Sequence, residues 1–248
     1  MSILNRRFGC EFEFSTNFDE VAEIVKPIIK KLYGKNKIKI KEENYPSNNN
    51  YKWHLKTDFS TECELATPVS TIEDLPKILK VIKYLHKNHL KITKNDALHI
   101  HISANDVPKK NIIVAWLFIE KAIMKCFNKN RQDNEFCPKL NCCRSKKTTI
   151  DTPYNNALQL TKEHHSVISL HYYQKRKTVE FRASQATFNT DLIEGWILFC
   201  LFYLDLAKKI NIKEYMKKRL NEIKTPQKLI KELNIKNKKV KKFVAKHH

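Results

Sequence analysis

The sequence predicts an α+β fold, with an antiparallel or mixed sheet, helices stacked on one of its faces and the other face free for chemistry. Three observations point there. Short segments alternate apolar and polar residues with the period of a strand, separate long segments are apolar over helical lengths, and glycine is nearly missing. The chain has 248 residues and only three glycines, Gly9, Gly34 and Gly195. No GxGxxG turn and no GxxxxGK[ST] loop can be built from them, which excludes Rossmann-type dinucleotide binding and P-loop chemistry. At 42% hydrophobic and 29% charged residues the composition is that of a globular protein with a core of its own.

The elements follow in order. Residues Arg7–Phe14 alternate as a strand, and Asp19–Tyr33 carries apolar residues at helical spacing behind an acidic first turn, with Gly34 as a stop. Lys37–Lys41 alternates Lys with Ile and reads as an edge strand, and Glu42–Asn50 reads as a loop. Trp53–Leu65 holds two extended segments. Thr71-Ile-Glu-Asp opens a helix reaching about His89, Ala97–Ser103 alternates as a strand, and a long helix starts at Pro108 and runs to Phe127. Asn128–Asn155 has no clear period. Ser166–Tyr172 and Lys177–Ser184 form a hairpin around Gln174-Lys-Arg, and Leu192–Ile210 is a second buried helix. Trp53, Trp116 and Trp196 lie in apolar patterns and read as core. The domain division is a main unit over residues 1–211 and a basic, mostly helical tail over 212–248.

The formal net charge is +21, and the tail from Lys213 to His248 holds thirteen Lys/Arg against three Glu. That tail either meets an anionic partner such as nucleic acid or is a solvated basic face. Seven cysteines without secreted-type spacing, and no apolar segment ahead of Arg6-Arg7, predict a reduced, cytoplasmic protein. The longest apolar runs, Ile112–Ile119 and Ile197–Leu204, are far short of the ~20 residues that span a bilayer. No membrane partner is expected. Cys137, Cys142 and Cys143 lack a fourth ligand at zinc spacing.

Four of the extended segments hold two polar residues flanking an apolar one: Glu11-Phe-Glu13, Glu62-Cys-Glu64, His99-Ile-His101 and Glu180-Phe-Arg182. Alternation puts both members of each pair on one face, opposite Phe12, Cys63, Ile100 and Phe181. In one sheet they give a face with up to five carboxylates, two imidazoles and a guanidinium. Like charges 4 Å apart repel by ~1 kcal/mol in water and ~4 kcal/mol at an effective dielectric of 20, so cations must offset them. Carboxylates with imidazoles and no thiolates suit Mg²⁺ or Mn²⁺ better than zinc, and Mg²⁺ pairs with phosphate oxygens. A metal-bound nucleotide is the implied ligand. A solvent-facing strand is also polar at alternate positions, but four such pairs, and two histidines opposite an aliphatic face, go beyond solubility. His86, His89, His164, His165, His247 and His248 read as surface.

These residues bring a family into view. Over about residues 7–205 the chain resembles the amidoligase family, carboxylate–amine ligases related to glutamine synthetase and the gamma-glutamyl-cysteine ligases. The resemblance is carried by Phe8-Gly-Cys-Glu-Phe-Glu-Phe14, Trp53 with Lys56-Thr-Asp58-Phe-Ser60, and Glu64-Leu-Ala-Thr-Pro68. Leu98-His-Ile-His-Ile102, Arg131 to Cys137-Pro138, and Thr178-Val-Glu-Phe-Arg182 with Trp196 follow in the family's order. Ala97 and Phe59 stand where the family commonly has glycine. The resemblance implies a glutamine-synthetase-like catalytic domain whose curved sheet holds Mg²⁺ and ATP without a glycine-rich loop. It also implies that Glu11, Glu13 and Glu64 hold metal, that His99 and Glu180 complete a second metal site, and that Arg182 meets the γ-phosphate.

On that reading ATP activates a carboxylate as an acyl phosphate, which an amine attacks. Arg182, with Arg131 or Lys56, offsets charge on the transferring phosphoryl group, and His101 orients a carboxylate or phosphate. Glu62 or Asp58 is the candidate base for the amine. Asp58 with Lys56 also reads as an ordinary strand-end ion pair, and Arg131 as a solvated helix-end residue. Two other classes compete: a metal-dependent nuclease, and a non-catalytic nucleic-acid-binding protein that uses the basic tail.

Overall fold

The computed structural model describes residues 5–41, 51–57, 61–132, 137–140, 151–162, 166–217 and 223–245. In chain order it runs β1 (Phe8–Phe14), α1 (Phe18–Tyr33), β2 (Ile38–Lys41), β3 (Trp53–Lys56), β4 (Cys63–Ala66), α2 (Leu75–Lys87), β5 (Ala97–Ser103) and α3 (Lys109–Met124). It continues with α4 (Lys129–Gln132), α5 (Asp151–Leu160), β6 (Ile168–Ser169), α6 (Tyr173–Arg176), β7 (Thr178–Gln185), α7 (Thr190–Lys209), α8 (Ile212–Lys217), α9 (Pro226–Glu232) and α10 (Lys238–Ala245). The fold is α+β. Among the described residues seven strands form one open, mixed sheet in the order β2-β3-β4-β1-β5-β7-β6. Only β2 and β3 run parallel; every other neighbouring pair is antiparallel.

Local chemistry sets the boundaries. Asn17 caps α1 by accepting from the Asp19 amide at 2.9 Å, and Gly34, at φ 94°, ends the helix with its N–H on the Lys30 carbonyl. The helix expected from Thr71 starts later, at Leu75. Asp74 turns its carboxylate back to the Thr71 amide at 2.9 Å, so Thr71–Asp74 is a capping turn ahead of the helix. The hairpin of β6 and β7 is joined by a single helical turn, α6, which Lys177 ends in the left-handed region at φ 52°. Among the described residues β6 is only Ile168–Ser169, shorter than its alternating sequence suggests.

One face of the sheet is apolar and packed against helices. Phe8, Cys10, Phe12 and Phe14 of β1, Leu98, Ile100 and Ile102 of β5, and Val179 and Phe181 of β7 join residues of α1, α2, α3 and α7 in one buried cluster. Phe181 touches Trp116, Trp196 and Tyr203 with ring centroids 6.1, 6.1 and 5.7 Å away. All three tryptophans are buried. The polar members of the strands are thereby turned to the opposite face.

The tail helices are anchored in the same core. Val240, Phe243 and Val244, at helical spacing on α10, are buried, and Phe243 lies 5.6 Å from the Trp196 ring of α7. Lys239 and Lys242 of α10 meet Glu194 and Asp191 of α7 at 2.5 and 2.6 Å. Leu229 of α9 is buried in the same cluster. Lys213, Lys224, Lys228, Lys231, Lys236, Lys238 and Lys241 are exposed. Among the described residues no helix is long and apolar enough to cross a membrane.

Candidate active site

Register, rather than sequence proximity, assembles the polar face. Glu13 of β1 stands opposite Glu64 of β4, and Glu64 opposite Lys56 of β3. On the other side Glu11 stands opposite His99 of β5, and His101 opposite Glu180 of β7. Five strands therefore deliver residues that are neighbours across the sheet. Between β5 and β7 the register slips: Leu98 pairs with Ser184 and Ile100 with Phe181, so Arg182 and Ala183 together oppose His99. That bulge lies inside the polar cluster, where such irregularities re-aim a side chain.

The closest contacts are ionic. His101 Nε2 lies 2.9 Å from Glu11 Oε2, Arg182 Nη1 lies 2.5 Å from Glu180 Oε1, and Lys56 Nζ lies 2.9 Å from Glu64 Oε1. His99 sits between them. Its Nδ1 is 3.7 Å from Glu11 and 3.8 Å from Glu180, and its Nε2 is 3.6 Å from Glu13, each too long for a hydrogen bond. Glu13 spends its other oxygen on the Ala97 amide at 2.6 Å, which ties the start of β5 to β1.

These charges shift one another. Burial opposes ionisation of Glu11, yet the charge and hydrogen bond of His101, with His99 and Lys56 nearby, hold its carboxyl well below the usual range. Burial likewise disfavours a charged His101, but the Glu11 and Glu180 carboxylates outweigh it and raise the imidazole to about 9. Glu180 is lowered against burial by His101, Arg182 and His99, and Arg182 is raised by Glu180.

Two groups of ligand-type atoms converge, Glu11 with Glu64 and His99, and Glu11 with His101 and Glu180, each within 4.8 Å of one another. Oxygen ligands about 2.1 Å from an octahedral Mg²⁺ stand about 3.0 Å apart when cis and 4.2 Å when trans, so this spacing fits a divalent ion. The loose surroundings of His99 fit as well. Glu180 Oε2 is buried and has no hydrogen-bond partner among the described residues, which leaves one carboxylate oxygen for a cation. Glu11 is common to both groups.

The remaining sequence candidates fall at varied distances from this cluster. Glu62 is exposed in the bend before β4, outside both groups. Asp58, like Cys142, Cys143, His164, His165, His247 and His248, lies outside the described residues. Lys56 pairs with Glu64. Arg131 is not a solvated helix-end residue: its side chain is buried, and Nη2 donates to the main-chain carbonyl of Arg182 at 2.6 Å. Cys137 Sγ meets the same carbonyl at 3.3 Å, and burial pushes its thiol up to about 11, which argues against a reactive thiolate. The Arg182 amide donates to Val167. Amide and carbonyl of one strand residue point the same way, so Arg131 and Cys137 complete the pairing that the short β6 leaves open.

Sequence reasoning missed Asp96. It is buried and accepts from Ser15 Oγ at 2.8 Å, Thr61 Oγ1 at 3.0 Å and the Thr93 amide at 2.6 Å, fixing the ends of β1 and β5 and the approach to β4. A signal existed. Thr93-x-x-Asp96 has the same spacing as Thr71-x-x-Asp74, and in both the Asp takes the Thr amide.

No curated protein matches the chain. A family model does match, over residues 4–204, and its description is "Putative amidoligase enzyme". The match spans β1 to most of α7, every strand that carries the polar cluster. The chain belongs to this amidoligase family.

Proposed function

We propose that the protein is an ATP- and Mg²⁺-dependent carboxylate–amine ligase, acting through an acyl phosphate on a glutamine-synthetase-like sheet. The observation that supports this best is the pair of ligand groups that share Glu11, one with Glu64 and His99 and the other with His101 and Glu180. Two sites joined by a carboxylate suit a nucleotide triphosphate, whose charge one ion offsets incompletely. Glu11, Glu64, His99 and Glu180 would hold Mg²⁺ or Mn²⁺, with Glu13 behind His99 as an orienting partner. Bound there, the metal would supply charge neutralisation for the transferring phosphoryl oxygens.

The chain's own residues do the rest. Arg182, half-turned to Glu180 and kept charged by it, offers a guanidinium to the γ-phosphate. Lys56 stands across the cluster beside Glu64 as a second cation. His101, protonated while paired with Glu11 in the metal-free protein, keeps one ring N–H once neutral, and that N–H donates to a carboxylate or phosphate oxygen. Arg131 is a positioning residue in this scheme, since its contact is the Arg182 main chain. Glu62 and Asp58 stand as candidate bases for the amine, Glu62 by its exposure at the approach to β4.

The test is calorimetric binding of a non-hydrolysable ATP analogue with and without Mg²⁺, for the wild type and Glu180→Gln. A background of ~0.3 M salt suppresses unspecific attraction by shortening the Debye length to about 6 Å. Saturable binding that needs Mg²⁺ and is lost in the variant supports the ligase and opens a screen of carboxylate and amine pairs. Binding indifferent to Mg²⁺ and to the substitution, or metal-dependent cleavage of an oligonucleotide without ATP, overturns it.

A further inference from the structure

A second surface, built from lysine, arginine and tyrosine, lies where β5 ends and β7 begins. Lys177 Nζ lies 5.5 Å from the centre of the Tyr173 ring, and Lys109 Nζ lies 5.1 Å from the same ring. Next along the chain Arg176 covers Tyr172 at 4.9 Å, and Lys110 covers Tyr154 of α5 at 5.3 Å. Tyr172 and Tyr173 are consecutive, and so are Lys109 and Lys110. The separate contacts therefore join into one strip of alternating rings and cations. Four of the five cation–ring contacts among the described residues fall in it.

The strip is strongly and openly positive. Lys175, Arg176, Lys177 and Lys110 are exposed, Lys109 is half-buried, and none of the five has an ion-pair partner among the described residues. The nearby Asp106 does not neutralise them, because Arg6 and Lys208 occupy its carboxylate at 2.8 and 3.0 Å. Nor does helix chemistry explain them. Lys109 and Lys110 open α3, whose first turn has no acidic residue and whose cap, Pro108, makes no side-chain hydrogen bond. Cations there oppose the helix dipole, so they are badly placed for stability and well placed for an anion.

We infer that this strip docks single-stranded nucleic acid. Phosphates on a flexible backbone match cations set a few ångströms apart, and the half-buried Tyr172 and Tyr154 rings beside them offer edges to unpaired bases, while Tyr173 is buried beneath its two lysines and holds them in place. An acidic peptide would use the cations but not the rings. The strip is also continuous with the polar cluster: the Ala104 amide donates to the Lys177 carbonyl at 2.7 Å, and the next rungs are Ser103–Thr178, Ile102–Val179 and His101–Glu180. Lys177 precedes Glu180 by three residues, about 10 Å along a strand. The docking does not depend on the ligase reading.

The experiment is fluorescence anisotropy of the full chain with labelled single-stranded 20-nucleotide RNA and DNA, from 0.05 to 0.4 M salt, without ATP or metal. One variant carries Lys109→Gln, Lys110→Gln, Arg176→Gln and Lys177→Asn, Asn being tolerant of the left-handed conformation at that position. A control carries Lys228→Gln, Lys231→Gln, Lys238→Gln and Lys241→Gln in the tail, removing the same charge elsewhere. Circular dichroism checks that both are folded, and Tyr172→Ala serves as a single mild variant if the fourfold one is not. The expected result is at least a tenfold loss for the strip variant at 0.15 M salt. Its salt slope should be shallower by about 0.7 for each phosphate contact removed, with much less change in the control. Equal loss in the control, no saturable binding by the wild type at 0.15 M salt, or competition by poly-glutamate as strong as by unlabelled oligonucleotide would each overturn the assignment.

Discussion

His101 and Glu11 form an ion pair across the gap between β5 and β1, 2.9 Å from Nε2 to Oε2, although register places Glu11 opposite His99 and His101 opposite Gly9. The diagonal contact raises the imidazole to about 9 and holds the carboxylate ionised. Each is thus stored in its charged form at the place where a divalent cation would need His101 neutral.

A proton should therefore leave when metal arrives. If Glu11, His101 and Glu180 bind a divalent ion, His101 must give up the proton it holds at neutral pH, so binding at pH 7.5 releases about one proton per ion at that site. Mn²⁺ calorimetry in buffers of different ionisation enthalpy reads this directly, and His101→Gln should release fewer protons. The sign for stability also follows. The folded imidazole is raised above its ordinary 6.5, so its contribution is complete below about pH 6.5 and fades as pH rises through about 9 in the metal-free protein.

Arg131 yields the second prediction. Its Nη2 bond to the Arg182 carbonyl is buried and charge-assisted, and β6 offers that carbonyl no substitute. Arg131→Ala should cost about 1–3 kcal/mol in urea unfolding, the usual range for a hydrogen bond from a charged group. Arg131→Lys should recover little, because an ammonium lacks the planar fork that reaches the strand from α4. Cys137→Ala should cost less than Arg131→Ala.

Much of this site was legible from local pattern. Glu11-Phe-Glu13, His99-Ile-His101 and Glu180-Phe-Arg182 lie on strands, and period-2 alternation alone puts their polar members opposite Phe12, Ile100 and Phe181. What alternation cannot supply is which strands are neighbours, so the crossings of Glu13 with Glu64 and of His101 with Glu180 come only from the folded sheet. Glu62 shows the cost of extending a pattern by one residue: β4 starts at Cys63, and Glu62 turns to solvent in the preceding bend. Arg131 was unreadable for another reason. Its partner is a backbone carbonyl fifty-one residues away, and carbonyls leave no mark in a sequence.

The tail supports a third prediction. A Cβ on Gly195 of α7 would fall 2.4 Å from the Phe243 Cβ and 3.3 Å from the Lys239 carbonyl, so α7 and α10 touch where only glycine fits. Gly195→Ala should lift α10 from α7 at a cost of about 1–3 kcal/mol, despite alanine's better helix propensity. Hydrogen exchange should quicken in Lys238–Ala245 while the amides of β1 and β5 keep their protection. Uniform loss of protection would mean that α10 is part of the global unfolding unit.

Acid should find the last weak point at Arg6. This arginine is wholly buried, donates to the Ser103 carbonyl, and is neutralised by Asp106 at 2.8 Å and Asp205 at 2.9 Å, which fastens the entry to β1 onto the end of β5 and onto α7. Burial works against the Asp106 carboxylate, but hydrogen bonds from Arg6 and Lys208 take its carboxyl from 3.8 to about 2. A depressed folded value means stability that is complete above about pH 4 and lost as pH falls through about 2. Asp106→Asn should therefore be less stable than the wild type at pH 7. The gap between the two urea midpoints should narrow from pH 4 to pH 2, because acid takes from the wild type the charge that the variant already lacks. A gap that stayed constant over that range would assign the effect of the substitution to packing, and would leave Asp205 as the carboxylate that neutralises Arg6.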